Sequence, residues 1–523
     1  MLRLTACFII TGLLFTVASV SIPQSASTLT RLTNTPEHAV NLNPTLSDDG
    51  RVVVFESSAD LLSAGDNSFH TYVADLAVRT LKSIASTRAV SPALSSDGKI
   101  SVFASPEDLV GQNKDRNSEI YLFDGSKLSQ LTKTEPDSVE SRLIDGNFQP
   151  SITADGRTIV FSSNRNFSGS NSDGSDEIFL YKDHSFTQLT NSTDEQSAVT
   201  PKISADGSRV FYKRTANEDT GDLVLIETQT RTSRVLAADV AELSLTEGRA
   251  VSNDGMRVVY SALTAPNQSQ VFVFEVRDNS IRQVTQLSSR VTDVKLQSTI
   301  SGDGKRVAFA TRRRVINTSD GGVELYLLDL PTNQVQQITN APASATAEVV
   351  SSLNFDGTLA AFNFPRILSG AVSDDDLRNN SEIYLAAIAP RPQFGVATVF
   401  NAAAQGREPE HTKIAPGSIA GIRGSALAFK TEGASFAGSD PPFTVAGTTV
   451  KVNGQPAGIF YAAPDEVVFV TPSGLSNGPA EFVVTNSDGF SSKAEANISQ
   501  AAPGVFTVAG DGRGEAIVLD SKT

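Results

Sequence analysis

The sequence predicts an all-β protein: a seven-bladed β-propeller followed by an immunoglobulin-like β-sandwich. Three observations support this prediction. An Asp-Gly pair recurs seven times at spacings of 48 to 58 residues, an aromatic residue follows each of these glycines by five positions, and the segment after the repeats holds short strands separated by Asn-Gly and Asp-Gly turns. Four short strands in about fifty residues are typical of one propeller blade.

Each repeat predicts a hairpin and then two more strands. The repeated glycines are Gly50, Gly98, Gly156, Gly207, Gly255, Gly304 and Gly357, and the aromatic residues that follow them are Phe55, Phe103, Phe161, Tyr212, Tyr260, Phe309 and Phe362. Glycine accepts a positive φ without a Cβ clash, so Asp-Gly between two apolar runs indicates a tight turn. We interpret the seven aspartates of these pairs as turn residues rather than as a carboxylate site.

The two ends of the repeat array predict a closed ring. The seventh repeat runs through residues 383–385 and stops without a fourth strand, whereas residues 29–33 form a strand pattern that stands alone before the first repeat. Pairing these two segments removes the exposed sheet edge that invites aggregation. Seven blades are therefore predicted. Six blades are the alternative if one repeat is degenerate, and an open solenoid would leave residues 29–33 unpaired.

The order of motifs within a repeat resembles a known family. Pro-x-x-Ser-x-Asp-Gly, Arg/Lys-x-Val-x-Phe, Glu-Ile-Tyr-Leu and Gln-Leu-Thr follow one another, with matching segments at residues 119–132, 201–212 and 301–309. This series is similar to the TolB-like (WD-type) propeller repeat, over about residues 29–388. The resemblance implies the fold and says little about function, because this repeat occurs in periplasmic scaffolds, peptidase domains and surface proteins. The partners of TolB are not carried over, since the chain has no room for its separate N-terminal domain.

The segment after the repeats predicts a β-sandwich. Strings such as Ile-Ala-Pro-Gly-Ser-Ile at residues 414–419 and Ala-Pro-Gly-Val-Phe-Thr at residues 502–507 resemble a C-terminal domain common in secreted acidobacterial proteins, which is related to the Ig-like IPT/TIG modules. The predicted domains are a propeller at 28–389, a linker at 390–393 and an IPT/TIG-like sandwich at 394–523. We expect this sandwich to be incomplete rather than short, because residues 516–519 read as a strand with no turn after them.

The amino terminus predicts export. Arg3, an apolar run and small residues near position 20 form the pattern of a signal peptide over residues 1–21. The alternative is an N-terminal membrane anchor, which the short apolar stretch disfavours. Cys7 is the only cysteine and lies in this segment, so the mature chain would hold neither disulfides nor thiolate metal sites. We expect a periplasmic, cell-surface or extracellular protein without membrane insertion.

Charge and local motifs exclude several function classes. The net charge of −15 disfavours nucleic acid as a partner, because phosphate binding needs clustered Lys and Arg. The Gly-x-Ser-x-Gly string around Ser476 is followed by a predicted strand, whereas a nucleophile elbow requires a helix. The four histidines lie far apart in sequence, which disfavours a zinc site. The sequence therefore predicts no catalytic residue, no metal ligand and no cofactor.

The loops after the second strand of several repeats are the candidate binding residues. The predicted ligand-binding positions are Asp115, Arg116, Asn117, Asn171, Asp173, Asp176, Glu177, Asp374, Asp375 and Asp376. Residues 171–177 place oxygen atoms at alternating positions, which calcium tolerates, although the bidentate Glu of a full calcium loop is absent. A solvated acidic loop is the alternative that we favour over calcium.

The predicted function is that of an exported, non-catalytic binding or scaffold protein, a monomer that is not an enzyme. Its propeller loops would recognise a protein or polysaccharide ligand. The alternative is a secreted carbohydrate-active enzyme with carboxylates in the propeller channel. Two inward carboxyl groups within about 10 Å of each other would favour that enzyme. A channel plugged by apolar side chains would favour the scaffold.

Overall fold

The computed structural model describes residues 28–63, 68–167, 169–192, 196–215, 219–246, 248–288, 296–313, 315, 322–341, 348–365, 368, 380–391, 394–403, 413–435, 440–507 and 515–516. Strands account for nearly all regular structure in these ranges, and the helical element is a single 3-10 turn at Ser141–Leu143. None of the helices in these ranges has the length and hydrophobicity needed to cross a membrane. The predicted signal peptide lies outside the described residues.

Seven sheets form the blades of a propeller, and β1 (Thr28–Arg31) precedes them in the chain. The first three blades are β2 (Asn41–Leu46), β3 (Val52–Ser57), β4 (His70–Asp75) and β5 (Thr80–Ala85); β6 (Val90–Leu94), β7 (Ser101–Ser105), β8 (Glu119–Phe123) and β9 (Leu128–Gln130); β10 (Asn147–Ile152), β11 (Thr158–Ser163), β12 (Glu177–Lys182) and β13 (Ser185–Gln188).

The fourth to seventh blades continue the same order from the channel outward. They are β14 (Ser197–Ile203), β15 (Arg209–Thr215), β16 (Thr220–Glu227) and β17 (Thr232–Ala241); β18 (Arg257–Ala265), β19 (Gln268–Glu275) and β20 (Ser280–Gln283); β21 (Ser298–Ile300), β22 (Arg306–Thr311), β23 (Glu324–Asp329) and β24 (Gln334–Gln337); β25 (Ser351–Leu353), β26 (Leu359–Pro365) and β27 (Ser381–Ala387). In the fifth blade the inner position is marked by two antiparallel bridges to β18, Ser244 with Ser261 and Val251 with Val258.

The first strand of the chain completes the last blade. β1 pairs antiparallel with β27, so that Thr30 lies opposite Leu385 and Arg31 opposite Tyr384. The Leu32 N–H extends this pairing by donating to the Ile383 carbonyl at 2.7 Å. The predicted closure of the ring and the predicted number of blades are both confirmed.

A ring of backbone hydrogen bonds joins the blades at the Asp-Gly end of the channel. In six of the seven repeats the residue before the Asp-Gly pair donates its N–H to the equivalent residue of the next blade. The donors and acceptors are Asp48 to Ser96 (3.0 Å), Ser96 to Ala154 (2.9 Å), Ala154 to Ala205 (2.9 Å), Ala205 to Asn253 (3.0 Å), Asn253 to Gly302 (2.8 Å) and Phe355 to Asp48 (2.9 Å). Between the sixth and seventh blades the donor shifts by one residue, to the Asp303 N–H, which reaches the Phe355 carbonyl at 2.7 Å. The ring therefore closes through backbone atoms as well as through β1.

The aspartates of the Asp-Gly pairs fold their own turns, as predicted. In the first turn the Ser47 hydroxyl donates to Asp49 Oδ1 at 2.7 Å, and the Arg51 N–H donates to the same oxygen at 3.0 Å. The equivalent pair of bonds recurs in the other six turns. Gly50 has a φ of +71°, a conformation that glycine adopts without strain.

The fixed aromatic residues are buried in every blade. Six of them stack on an aromatic residue of the neighbouring third strand with ring centroids 5.3 to 5.9 Å apart, and the partners are Phe55–Tyr72, Phe103–Tyr121, Phe161–Phe179, Tyr260–Phe272, Phe309–Tyr326 and Phe362–Tyr384. In the fourth blade Tyr212 lies opposite Val224 instead. These pairs form the hydrophobic layer between adjacent blades.

A buried carboxylate clasp explains the Glu-Ile-Tyr-Leu and Gln-Leu-Thr motifs. In the third blade the Thr190 hydroxyl and the Ser192 N–H both donate to the Glu177 carboxylate. The Thr190 hydroxyl oxygen in turn accepts the Ile178 N–H at 2.8 Å. The same arrangement recurs at Glu324 with Thr339 and Ala341, and at Glu382 with Thr33 and Thr35. The repeated glutamate therefore ties the third strand of a blade to the end of the fourth.

Replacement of Glu177 by Ala is expected to lower the free energy of unfolding by about 1–3 kcal/mol, because the partly buried Thr190 hydroxyl and Ser192 N–H lose their acceptor. Glu177→Gln is the matched control and is expected to cost less. The fifth blade already uses glutamine at this position: Gln270 Oε1 accepts bonds from the Thr285 hydroxyl at 2.8 Å and the Leu287 N–H at 2.9 Å. Urea unfolding at pH 7 measures both changes, and equal losses for the two variants would contradict the clasp.

The wild type and Glu177→Gln also test how the stability of the protein depends on pH. Burial raises the pKa of Glu177 above its usual value of 4.5, although hydrogen bonds from Thr190 and Ser192 oppose the shift. The folded protein therefore holds this proton to a higher pH than the unfolded chain does. Its contribution to stability is complete below about pH 4.5 and is lost as the pH rises through the folded pKa. Unfolding measured from pH 4 to 7 should show a shallower decline with pH for Glu177→Gln than for the wild type.

The C-terminal segment is a β-sandwich built from one strongly curved sheet. Its strands are β28 (Phe394–Val396), β29 (Thr398–Asn401), β30 (Ile419–Arg423), β31 (Glu432–Gly433), β32 (Thr449–Val452), β33 (Gln455–Ala462), β34 (Glu466–Val470), β35 (Gly478–Thr485) and β36 (Ser491–Ile498). The order is β28-β36-β35-β32-β33-β34-β30-β29, and β31 pairs with β33. Aliphatic residues and two phenylalanines, Phe469 and Phe482, fill the core. A strand, β35, follows Ser476, as the sequence predicted.

Polar contacts hold the sandwich against the fifth and sixth blades. Asp488, in the turn before β36, forms a buried ion pair with Arg257 of β18. Asn486 Nδ2 donates to the Pro331 carbonyl at 3.1 Å. Arg282 of β20 lies over the Phe429 ring, 4.3 Å from its centroid. The turn at residues 486–490 and Phe429 therefore both contact the propeller.

Candidate functional site

The loop between β7 and β8 is folded by its own side chains. The Asp108 carboxylate accepts the Asn113 N–H at 2.9 Å. Asn113 Nδ2 donates to the carbonyls of Pro106 at 3.2 Å and Asn117 at 2.9 Å. The Tyr121 hydroxyl donates to the Glu107 carbonyl at 2.5 Å. Because both ends and the middle of the loop are tied together, its exposed groups are held in fixed positions.

The structure separates the three predicted binding residues of this loop. Asn117 is fully buried, and its Nδ2 donates to the Thr134 carbonyl at 3.0 Å, so Asn117 holds the loop in place. Asp115 is half-buried. Arg116 is exposed, adopts a left-handed backbone with a φ of +57°, and pairs with the Glu107 carboxylate. Of the three, Arg116 is the side chain best placed to meet a ligand.

Arg116 lines a cleft of about 470 Å³ at the outer rim of the propeller, between the first and second blades. The remaining lining residues are Ser83, Ile84, Ala85, Ser86, Glu107, Asp108, Leu109 and Leu128. We call this the blade 1–2 cleft. It combines one cation and two carboxylates with aliphatic side chains from β5, β9 and the loop. Such a mixture of apolar surface and a few placed polar groups is typical of binding sites.

Sequence reasoning found Arg116 and missed Glu107 and Asp108. Both carboxylates lie in the same loop as Arg116, and Glu107 pairs with it. The signal that could have found them is the length of the loop, which must fold back on itself before β8. Prediction from the sequence considered only the charged cluster at residues 115–117.

The equivalent loop of the third blade uses its polar residues internally. Asn171 is buried, and its Nδ2 donates to the Ser175 carbonyl at 2.9 Å. The Ser175 hydroxyl donates to Asp173 at 3.0 Å and to Glu177 at 3.2 Å. Burial raises the pKa of Asp176, and a hydrogen bond from Ser197 opposes this rise. In the described ranges, no three His, Cys, Asp or Glu side chains come together as metal ligands. Asp374, Asp375 and Asp376 lie outside the described residues.

A polar clasp closes the Asp-Gly end of the channel. Asp48 of the first blade forms an ion pair with Arg249 of the fifth. Asn253 Nδ2 donates to the same carboxylate at 2.7 Å, as does the Ser96 hydroxyl. Burial would raise the pKa of Asp48, but the Arg249 charge and these hydrogen bonds hold it below its usual value. The chamber beside the clasp is only about 80 Å³, and Asp48 is the one carboxylate among its lining residues.

This clasp matches neither of the two arrangements expected for the channel. It is polar, so it is not the apolar plug expected of a scaffold. Among the described residues that line the chamber, the pair of inward carboxylates expected of a carbohydrate-active enzyme is not found. In the described residues, this end of the channel is therefore closed by an ion pair between two blades.

A second cleft, of about 810 Å³, lies between the propeller and the sandwich. Many of its lining residues are charged, but Arg257 is bound to Glu275 and Asp488, and Arg282 stacks on Phe429. These arginines serve the contact between the domains. The blade 1–2 cleft is therefore the stronger candidate for a binding site.

The chain is similar to several solved propeller structures. These include TolB from Acinetobacter baumannii (19% identity, 48% of this chain, 55% of that chain, TM-score 0.34) and an oligogalacturonate lyase in complex with manganese (13%, 70%, 95%, 0.47). A third is an acylaminoacyl peptidase from Pyrococcus horikoshii (12%, 74%, 57%, 0.42). The chain spans about half the length of the TolB structure. No family model and no curated protein matches the chain.

The prediction that the protein is not an enzyme is contradicted by these likenesses, which include a lyase and a peptidase. The prediction failed because it rested on three expected absences: a cysteine in the mature chain, a pair of neighbouring histidines and a nucleophile elbow. These absences exclude only three kinds of chemistry. We withdraw the prediction. The likenesses concern the fold and assign no activity to this chain. The chain contains a seven-bladed propeller, and TolB propellers are among the solved structures similar to it.

Proposed function

We propose that the chain is an exported recognition protein whose blade 1–2 cleft binds a segment of a partner protein. The observation that carries this proposal is that Arg116, a residue predicted for binding, lines a cleft on a loop held rigid by hydrogen bonds. A preordered site loses little conformational entropy when its ligand binds.

The chemistry of the cleft favours a peptide over a polysaccharide. None of the described residues that line it has an aromatic ring on which a sugar could stack. The aliphatic side chains of Ile84, Leu109 and Leu128 suit apolar residues of a peptide. Arg116 and the neighbouring carboxylates suit its charged or amide groups.

Export and the nature of the sandwich belong to the same proposal. The pattern of residues 1–21 supports a cleaved signal peptide, and protein recovered outside the cytoplasm should begin between about Ala18 and Ala26. An uncleaved amino terminus would contradict this. We take the sandwich to be related to IPT/TIG modules, on the strings at residues 414–419 and 502–507, with the role of extending or tethering the propeller.

The Arg116→Ala variant tests the cleft. A random peptide library is selected on the wild-type protein, and the affinity of enriched peptides is measured for each variant. Arg116→Ala should weaken binding by about tenfold or more, because a charged group that meets the ligand is lost.

Arg79→Ala is the matched control. Arg79 is also exposed and has a φ of +55°, but it lies in the turn between β4 and β5, outside the cleft. Its replacement should leave peptide affinity unchanged. Equal affinities for Arg116→Ala and the wild type, or a library that yields no binder, would reject the proposed site.

A further inference from the structure

The connection between β9 and β10 presents three large aliphatic side chains to solvent. Val139, Leu143 and Ile144 are exposed to 70%, 73% and 70%. They lie on and beside the 3-10 turn at Ser141–Leu143, none of whose residues is buried. We call these three residues the apolar tip. Exposed aliphatic residues that stand singly are normal, whereas a group of three on one short turn indicates a contact surface.

The apolar tip is held by an ionic network around the buried Arg165. Asp145 Oδ2 accepts the Ser141 hydroxyl at 2.5 Å and the Asp137 N–H at 2.9 Å. Its other oxygen pairs with Arg165 of the next blade at 3.1 Å, and Arg165 is itself buried. Arg165 also pairs with Asp137 at 2.8 Å. The tip is therefore fixed to the third blade on both sides of the 3-10 turn.

Rigid presentation distinguishes this turn from an ordinary surface loop. Binding loses less conformational entropy when the backbone that carries the contact residues is already ordered. The network around Arg165 supplies that order for the apolar tip.

We propose that the apolar tip docks into an apolar pocket of a partner protein that is bordered by Lys or Arg. The Lys or Arg border of the partner's pocket follows from charge complementarity with the residues beside the tip. Three acidic residues, Glu135, Asp137 and Glu140, lie beside the tip in sequence, against one exposed cation of the turn, Arg142. The Asp137 side chain pairs with Arg165 and is still 80% exposed. Complementary charges at the rim of an interface guide the encounter of the partners and select between them.

Other occupants fit these charges less well. An anionic bilayer would repel both the acidic border and a chain with a net charge of −15. A second copy of the chain would bring two acidic borders together. The surface is also separate from the blade 1–2 cleft, because none of the tip residues lines that cleft.

A single cysteine beside the tip can trap the partner. Cys7, the chain's one native cysteine, lies in the predicted signal peptide, so Arg142→Cys gives the mature chain a unique thiol for a photoreactive maleimide. The labelled protein is irradiated in an envelope extract, and the crosslinked protein is identified, purified and titrated by calorimetry. Its affinity should be about tenfold or more weaker for Leu143→Asp and should fall as salt rises.

Val78→Asp is the matched control. Val78 is 63% exposed and lies in the turn between β4 and β5 of the first blade, outside the apolar tip. Val78→Asp should leave the affinity unchanged, and all variants should melt like the wild type. A trapped protein indifferent to Leu143→Asp, or no trapped protein at all, would overturn the proposal. So would tip-dependent binding to phosphatidylglycerol vesicles, or a dimer in sedimentation that Leu143→Asp abolishes.

Discussion

A chain that begins at Asn34 is expected to unfold well below the temperature at which a chain beginning at Thr28 unfolds. The shorter chain lacks β1, which pairs with β27, and it also lacks Thr33. Thr33 donates its hydroxyl to the buried Glu382 carboxylate and accepts the Ile383 N–H at 2.9 Å. Each buried polar group left without its partner costs about 1–3 kcal/mol, so the total loss should be on the order of 5 kcal/mol.

The shape of the melting curve is as informative as its midpoint. If the ring is one cooperative unit, calorimetry should show the whole propeller transition moving to lower temperature. The shorter chain should also associate, because the edge of β27 becomes available for pairing. Equal melting temperatures for the two chains would show that the backbone ring at the Asp-Gly end closes the propeller without β1.

The architecture could be predicted because the spacing of residues within a propeller repeat indicates where its strands and turns lie. The pairing of β1 with β27 follows from a missing fourth strand at one end and a spare strand at the other. The depth of Phe161 and Phe309 follows from their fixed offset after a turn. In both cases the information lies in spacing along the chain, which a single sequence displays directly.

Details that depend on contacts between blades could not be predicted. The innermost strands of the first four blades each contain a β-bulge at the residue before proline, and these residues have positive φ: Asn43, Ser91, Gln149 and Thr200. Proline lacks the N–H that a strand ladder needs and marks the position in the repeat motif, but the contacts that the bulged residue makes are not visible in the sequence. The Thr200 N–H, for example, donates to Gln149 of the third blade at 2.8 Å.

The candidate site was predicted only in part for a similar reason. Polar residues in a loop look alike in sequence whether they face solvent or fold the loop. Asn117 and Asn171 do the latter. For Glu177 a signal did exist: it is the first residue of its strand, in register with Glu324 and Glu382, which perform the same structural role.

Phe309→Ala is expected to lower the free energy of unfolding by about 3–5 kcal/mol, through lost burial and the cavity left behind. Phe309 is only 1% exposed, and its ring stacks on Tyr326 with centroids 5.7 Å apart. Phe355→Ala is the matched control. Phe355 belongs to the next repeat and lies at the channel mouth with 47% of its surface exposed, so its loss should cost far less. Urea unfolding measures both variants. If the two cost the same, the fixed aromatic does not hold adjacent blades together, and the repeat would owe its stability to the buried clasps and the backbone ring instead.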